Sequence, residues 1–184
     1  MKSDDIARFL QRLDELVPYD KKVDLYIGGG AAVVIAYGGT VATKDVDAIG
    51  LSEGMLRFLE EHAGKESDIQ VDTGLYLDLV PPGLFLSEFG WRGRARVVDV
   101  TQLQRIRVYV MELHDLILSK LKRFNAKDQQ DLEWLCLLPE LDADVLRRLY
   151  RGARQILDHD EKETIDARIN RIETQYLGLP STQF

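Results

Sequence analysis

The sequence predicts an α+β fold: a small mixed, twisted sheet with flanking helices over residues 1–111, then a C-terminal helical bundle over residues 112–184. Three observations carry that expectation. Short apolar runs that read as strands recur up to residue 110. Amphipathic runs of helical period lie between them. From Glu112 onward only the helical pattern is left. The boundary is short, which predicts that the helices pack on the sheet and close over its site.

Each element has a local cause. "SDDIARFLQRLDELV" reads as a helix with Ser3 as cap, Asp4 and Asp5 at its positive end, and an apolar face of Ile6, Phe9, Leu10, Leu13 and Leu16. "KKVDLYIGGG" rises as a strand into glycines, and "AAVVIAY" reads as a buried helix stopped by Gly38-Gly39. "KDVDAIG" is a second strand. Ser52 is the expected cap of a third helix, "EGMLRFLEEHAG", with Met55, Phe58 and Leu59 inward. Residues 68–80, "DIQVDTGLYLDLV", are expected to hold one or two strands. "PPGLFLSEFGWRG" is a loop, and "RARVVDV" and "RIRVYVM" are strands joined by a short turn. Four helical segments follow, at 112–124, 126–138, 142–159 and 161–177.

Composition narrows the class. The chain is 45% hydrophobic and 30% charged, which is globular and not disordered. No apolar run has the length of a membrane span, and "MKSDDIARFL" lacks a secretory pattern, so the expected location is the cytoplasm with no membrane partner. Cys136 is the one cysteine; it excludes an intrachain disulfide and reads as core. The net charge of −7 argues against a broad nucleic-acid groove. His62, His114 and His159 are dispersed and form no zinc spacing.

The chemistry concentrates in residues 25–50. On a strand, Asp45 and Asp47 point to one face while Val46 and Ala48 point to the other. Two neighbouring carboxylates repel, and burying them unpaired is costly. A divalent cation removes that cost, and Mg²⁺ is commonly held by one or two carboxylates plus substrate phosphates. Gly28, Gly29 and Gly30 open onto a helix start whose backbone N–H groups have no intrahelical partner. Such a turn suits a phosphate chain. No Gly-Lys-Ser/Thr follows, so it is not a P-loop, and the G-x-G-x-x-G spacing is absent.

"IGGGAAVVIAYGG…TKDVDA" resembles the signature of the nucleotidyltransferase superfamily, whose fold is shared with DNA polymerase β. It is similar in particular to small bacterial AbiEii-type toxins and their uncharacterised relatives. The matching residues are Gly29-Gly30, Thr43, Asp45 and Asp47. A second block, "VYVMELHDLILSKLKRFNAKDQQDLEWL", is similar to the relatives' strand and lysine-bearing helix; its matching residues are Lys120, Lys127, Asp128 and Asp131. The resemblance implies transfer of a nucleotidyl group from a nucleoside triphosphate, with two Mg²⁺ ions. The acceptor would be RNA, a protein or a small molecule, and a cognate antitoxin is an implied partner. The relatives often carry an arginine two residues before the threonine; here that position is Val41, and Lys44 points away from the two aspartates.

The resemblance also implies a third metal carboxylate on a later strand. Asp78 is the expected one, because it faces away from Leu75, Leu77 and Leu79 on an otherwise apolar strand; Asp72 and Asp99 are the alternatives. Lys120 is expected to stabilise charge on the phosphates. Asp128 and Asp131 either cap their helix or orient Lys120 or the acceptor hydroxyl. The arginines at 92, 94, 96, 105 and 107 either meet a nucleic-acid acceptor or balance neighbouring acids, and Trp91 either stacks on a base or anchors its loop. A catalytically weak nucleotide-binding or protein-interaction module that keeps the fold is the competing expectation.

Overall fold

The computed structural model describes residues 2–49, 53–81, 83–99, 103–182 and 184. Ser52 lies outside the described residues. The chain divides into two compact units: Met1–Pro82 with Ala95–Met111, and Gly83–Arg94 with Glu112–Phe184.

The first unit is built on a mixed five-stranded sheet. Its strands are β1 (Val23–Ile27), β2 (Asp45–Ile49), β3 (Tyr76–Val80), β4 (Arg96–Val97) and β5 (Ile106–Val110), in the order β3-β2-β1-β5-β4. The β1–β5 and β2–β3 pairs are parallel; β1–β2 and β4–β5 are antiparallel. Strand alternation gives the sheet a dry side, where Val23, Leu25, Ile27, Val46, Ala48, Leu77, Val108 and Val110 are buried. Asp24, Tyr26, Asp45, Asp47, Tyr76, Asp78, Arg107 and Tyr109 stand on the other side, and Tyr26 stacks on Tyr109 with centroids 4.7 Å apart.

Helix α1 (Ser3–Leu16) buries Ile6, Phe9, Leu10 and Leu13 completely. Its cap is Lys2 and not Ser3. The carboxylate of Asp5, inside the first turn, reaches back to accept the Lys2 backbone N–H at 2.8 Å, so the helix starts one residue earlier than the serine suggests. Near its other end the buried Asp14 accepts the backbone N–H groups of Gln104 (3.0 Å), Arg105 (2.7 Å) and Ile106 (2.7 Å). That carboxylate fixes the start of β5, whose parallel register with β1 begins at the pair Val23–Ile106. α2 (Gly29–Tyr37) follows its glycine turn as expected, and α3 (Glu53–Ala63) is helical; Leu59 is fully buried, while Met55 and Phe58 are half-buried.

Residues 68–73 are helical, so of the one or two strands expected over 68–80 one forms, β3. α4 (Asp68–Thr73) is capped by Ser67, whose Oγ accepts from the Gln70 N–H at 3.2 Å, and is stopped by Gly74 at φ 76°. These end signals outweigh the β-branched residues between them, and β3 begins only after the glycine. β4 is likewise shorter than "RARVVDV" suggests, covering two residues.

The second unit is helical: α5 (Trp91–Arg94), α6 (Leu113–Leu121), α7 (Ala126–Leu135), α8 (Ala143–Ala153) and α9 (His159–Gln175). Among the described residues no helix is long and apolar enough to cross a membrane. Several of its arginines pair with acids. Arg94 donates through Nε and Nη2 to the fully buried Asp115, at 2.7 and 2.8 Å, and through Nη1 to Glu88. Burial still leaves the Asp115 carboxyl above its ordinary value. Arg147 pairs with the buried Glu173, and Arg154 makes a two-pronged pair with Asp166. Arg168 donates to the Leu121 and Lys122 carbonyls at the end of α6. Trp91 meets Phe85 edge-on and carries Arg92 over its ring. Cys136 is core, its thiol pushed up to about 12 by burial.

Asp14 makes this architecture testable. Asp14→Ala leaves three strand-start donors without their acceptor, and about 3 kcal/mol of stability is expected to be lost. Urea unfolding followed by circular dichroism should show the lower midpoint with an unchanged slope.

Candidate functional site

The site begins where β1 runs out. The Gly28 N–H donates to the Asp47 carbonyl at 3.0 Å, and the chain then turns into α2 with Gly28 as its cap. Gly29 has φ 56°, which side-chain-bearing residues seldom adopt. It also has no room: a Cβ there would lie 1.4 Å from Asp47 Oδ2. The carboxylate of Asp47 therefore fills the space a side chain at residue 29 would need. At Gly30 a Cβ would meet Val41 Cγ1 at 2.9 Å and Thr43 Cγ2 at 3.3 Å, so the segment before β2 lies directly on the turn. Val41, at the position where the relatives often carry arginine, is buried there. Thr43 Oγ1 accepts the Asp45 N–H at 3.4 Å. Gly38 closes α2 at φ 65°, its N–H bonded to the Val33 carbonyl.

β2 carries Asp45 and Asp47 on one side, both half-buried, with Val46 and Ala48 buried on the other. β3 runs parallel beside it in a register that sets Asp78 opposite Asp47 and Tyr76 opposite Asp45. Asp78 is exposed. One carboxylate oxygen from each of Asp45, Asp47 and Asp78 lies within 4.8 Å of the others. The alternatives are elsewhere. Asp72 is on α4 and pairs with Arg8 and Arg12. Asp99 lines a cleft with Lys22, Arg105 and Arg107 at the start of β1 and β5, the opposite end of those strands from Gly28.

The residues of the second block gather in the helical unit. Lys120 is 3% exposed, with Asp131 Oδ2 at 2.5 Å and Asp128 Oδ1 at 3.8 Å from its Nζ. Asp128 also takes two bonds from Arg123, at 2.8 and 2.9 Å, and one from the Asn125 N–H, completing a capping box at the start of α7. Burial would raise the Asp128 carboxyl, but the Arg123 bonds and the Lys120 charge hold it below its ordinary value. Asp128 thus both caps and neutralises, and Asp131 holds the lysine. Lys127, half-buried, sits in the first turn of α7.

One arrangement was not legible in the sequence. Lys65 Nζ lies 5.2 Å from the centroid of the Tyr76 ring. Tyr76 is two residues from Asp78 and shares its face by strand period; nothing in the sequence points to Lys65.

Three carboxylates on one patch of sheet, against a glycine turn and a helix start, make a set of hard oxygen donors. That set fits a small divalent cation such as Mg²⁺ or Mn²⁺ and offers nothing to a soft metal. The turn beside it presents the start of α2 to an anion. Comparison with known proteins agrees in kind: the family model described as a nucleotidyltransferase of unknown function (DUF6036) matches residues 4–177. No curated protein and no solved structure matches the chain.

Two glycines separate the conformational cost from the contact. Gly29→Ala and Gly38→Ala each force alanine into the left-handed region, costing roughly 1–2 kcal/mol. Only at Gly29 would the methyl also displace a carboxylate, since nothing lies within 4 Å of a Cβ at Gly38. Both variants should melt lower, and calorimetric titration with Mn²⁺ should show binding lost in Gly29→Ala and kept in Gly38→Ala.

Proposed function

The chain belongs to the family described as a nucleotidyltransferase of unknown function, and from that premise we propose that it moves a nucleotidyl group from a nucleoside triphosphate to an acceptor hydroxyl with the help of divalent cations. The single observation that carries this reading is the approach of Asp45, Asp47 and Asp78 to within 4.8 Å of one another on the face of the sheet beside the glycine turn. These three residues would hold Mg²⁺, two ions in the full arrangement. When bound, the ions supply Lewis-acid activation of the acceptor hydroxyl and neutralise charge at the leaving pyrophosphate. Gly28, Gly29 and Gly30 would receive the triphosphate through backbone N–H groups at the start of α2, whose first-turn donors have no intrahelical partner. Thr43 would keep the start of β2 in place through its bond to the Asp45 N–H. In the transfer, the acceptor oxygen bonds to the α-phosphorus, the bond from that phosphorus to the bridging oxygen breaks, pyrophosphate leaves, and the hydroxyl proton passes to solvent. The acceptor class stays as the resemblance implies: RNA, a protein or a small molecule.

A second reading is favoured by two specific observations. Val41 is buried under the turn where the relatives often place a cation, and Lys120 is matched by Asp131 in its own unit. A chain with its charges so arranged is also a nucleotide-binding or protein-interaction module with little turnover. The likeness to AbiEii-type toxins is the finer form of the enzymatic proposal. In that form, expression arrests growth, and both Asp45→Asn and a cognate antitoxin relieve the arrest; arrest that persists in Asp45→Asn rules it out.

Pyrophosphate release separates enzyme from module. With the four nucleoside triphosphates and a panel of RNA, protein and small-molecule acceptors, the wild type is expected to release pyrophosphate. Asp47→Asn should lose at least a hundredfold of that rate, on the order of one removed transition-state contact, with its circular dichroism spectrum unchanged. Binding without release across the panel would support the module.

A further inference from the structure

We propose that Lys65, held over the ring of Tyr76, is the cation that receives the substrate's phosphates at the Asp45–Asp47–Asp78 patch. The inference rests on the nucleotidyltransferase reading and adds to it the residue that answers the phosphate charge. The need comes first. A triphosphate brings several negative charges to a patch that already carries three carboxylates, and bound divalent ions leave part of that charge unmatched. Sites that transfer phosphoryl groups meet the remainder with lysine or arginine.

The places where a cation is expected do not supply one. Position 41 is valine, 6% exposed and seated on Gly30. Lys44 lies one residue before β2, and the strand period continued back to it sets it on the side opposite Asp45. Lys120 is 3% exposed and its ammonium is bonded to Asp131. Arg107 stands on the acidic side of the sheet but at its far end, opposite Asp24 and in contact with the Tyr109 hydroxyl.

Lys65 differs on each count. It is exposed, so its charge is available to a ligand. Its Nζ lies 5.2 Å from the Tyr76 ring centroid, within the range of a cation–π contact. Tyr76 is the lateral neighbour of Asp45 in the β2–β3 register and lies two residues from Asp78. By register the ring stands on the acidic face of the sheet next to Asp45, and it gives a long side chain a resting place on that strand. Holding the lysine on a ring before the ligand arrives lowers the entropy lost on binding. Its compact, rotatable ammonium suits a phosphate chain as a point charge.

The test is calorimetric titration of wild type, Lys65→Ala, Lys65→Arg, Tyr76→Leu and Asp47→Asn. Mn²⁺ alone is the first probe; MgATP, MgGTP, MgCTP and MgUTP are the second. Lys65→Ala is expected to keep Mn²⁺ affinity within twofold and to bind the preferred Mg-nucleotide roughly tenfold more weakly, the scale of one charge-assisted contact. Lys65→Arg should recover most of that loss. Tyr76→Leu should lose part of it, and the penalty should shrink for the matching nucleoside monophosphate. Because Lys65 is exposed, its variants are expected to melt as the wild type does. Equal nucleotide affinity in wild type and Lys65→Ala would overturn the assignment to Lys65 and leave the wider reading standing. A wild type that binds Mn²⁺ but none of the four Mg-nucleotides overturns both, and Asp47→Asn then reports the metal patch alone.

Discussion

The architecture of the sheet unit turns on one steric fact: the Asp47 carboxylate occupies the volume that a side chain on residue 29 would fill. That contact couples two features which otherwise look independent, the glycine turn and the paired acids. It fixes how close the start of α2 comes to the carboxylates, because no residue with a Cβ could bring it there. The Gly28–Asp47 backbone bond holds the same approach from the main chain. Gly30 repeats the logic one residue on, where Val41 and Thr43 lie where a side chain would be. The run of missing side chains is thus what lets β2 and the segment before it press directly against the turn.

The helical unit follows a different rule. Its buried charges are matched within it: Lys120 by Asp131 and Asp128, Arg94 by Asp115 and Glu88, Arg147 by Glu173. Buried pairs of this kind contribute little net stability, because desolvation offsets most of the attraction. Removing either partner is costly all the same, since the other is left charged in a dry place. In the basic stretch at 92–107, Arg94 and Arg105 are engaged within the protein, while Arg92, Arg96 and Arg107 are exposed. Arg105 donates to the carbonyls of Asp14, Glu15 and Val17, and Arg94 pairs with two acids, so part of the positive charge that composition counts is already engaged.

Much of the fold was legible in the sequence, for reasons that can be named. The α+β order, the mixed sheet and the helix after the glycine turn followed from periodicity and from Gly38, whose left-handed cap is where the sequence puts it. Asp45 and Asp47 were readable because a period of two needs no tertiary information. The juxtaposition of Asp78 with Asp47 was readable only as a guess, since it depends on strand register, which no local signal fixes. Residues 68–73 left the number of strands open because the decisive information sat at the ends, in Ser67 and Gly74, and not in the apolar residues between. Ser3 misled for the converse reason, with Asp5 reaching back from inside the helix. Lys65 and the Asp14 clamp were invisible because each joins segments far apart in sequence through a single side chain.

The acidic patch also has an electrostatic logic that the exposure of its members makes intelligible. Two unit charges 4 Å apart repel by about 1 kcal/mol in water and about 4 kcal/mol at the effective dielectric of a protein surface. Three carboxylates in mutual reach therefore set a standing strain on the sheet unless solvent or a cation relieves it. Asp78 is exposed and its two neighbours are half-buried, which keeps the repulsion nearer the lower figure. A deeper patch would force one acid to take a proton and so lose a ligand. A shallower one would leave the triad screened by water, with little pull on a metal. The strand pair sets the patch between these limits, because β3 is the outermost strand and leaves Asp78 open at the edge while β2 carries the other two one strand further in. Under the proposed function, affinity for a divalent cation would be the release of that repulsion, and the position of β3 in the sheet would tune it.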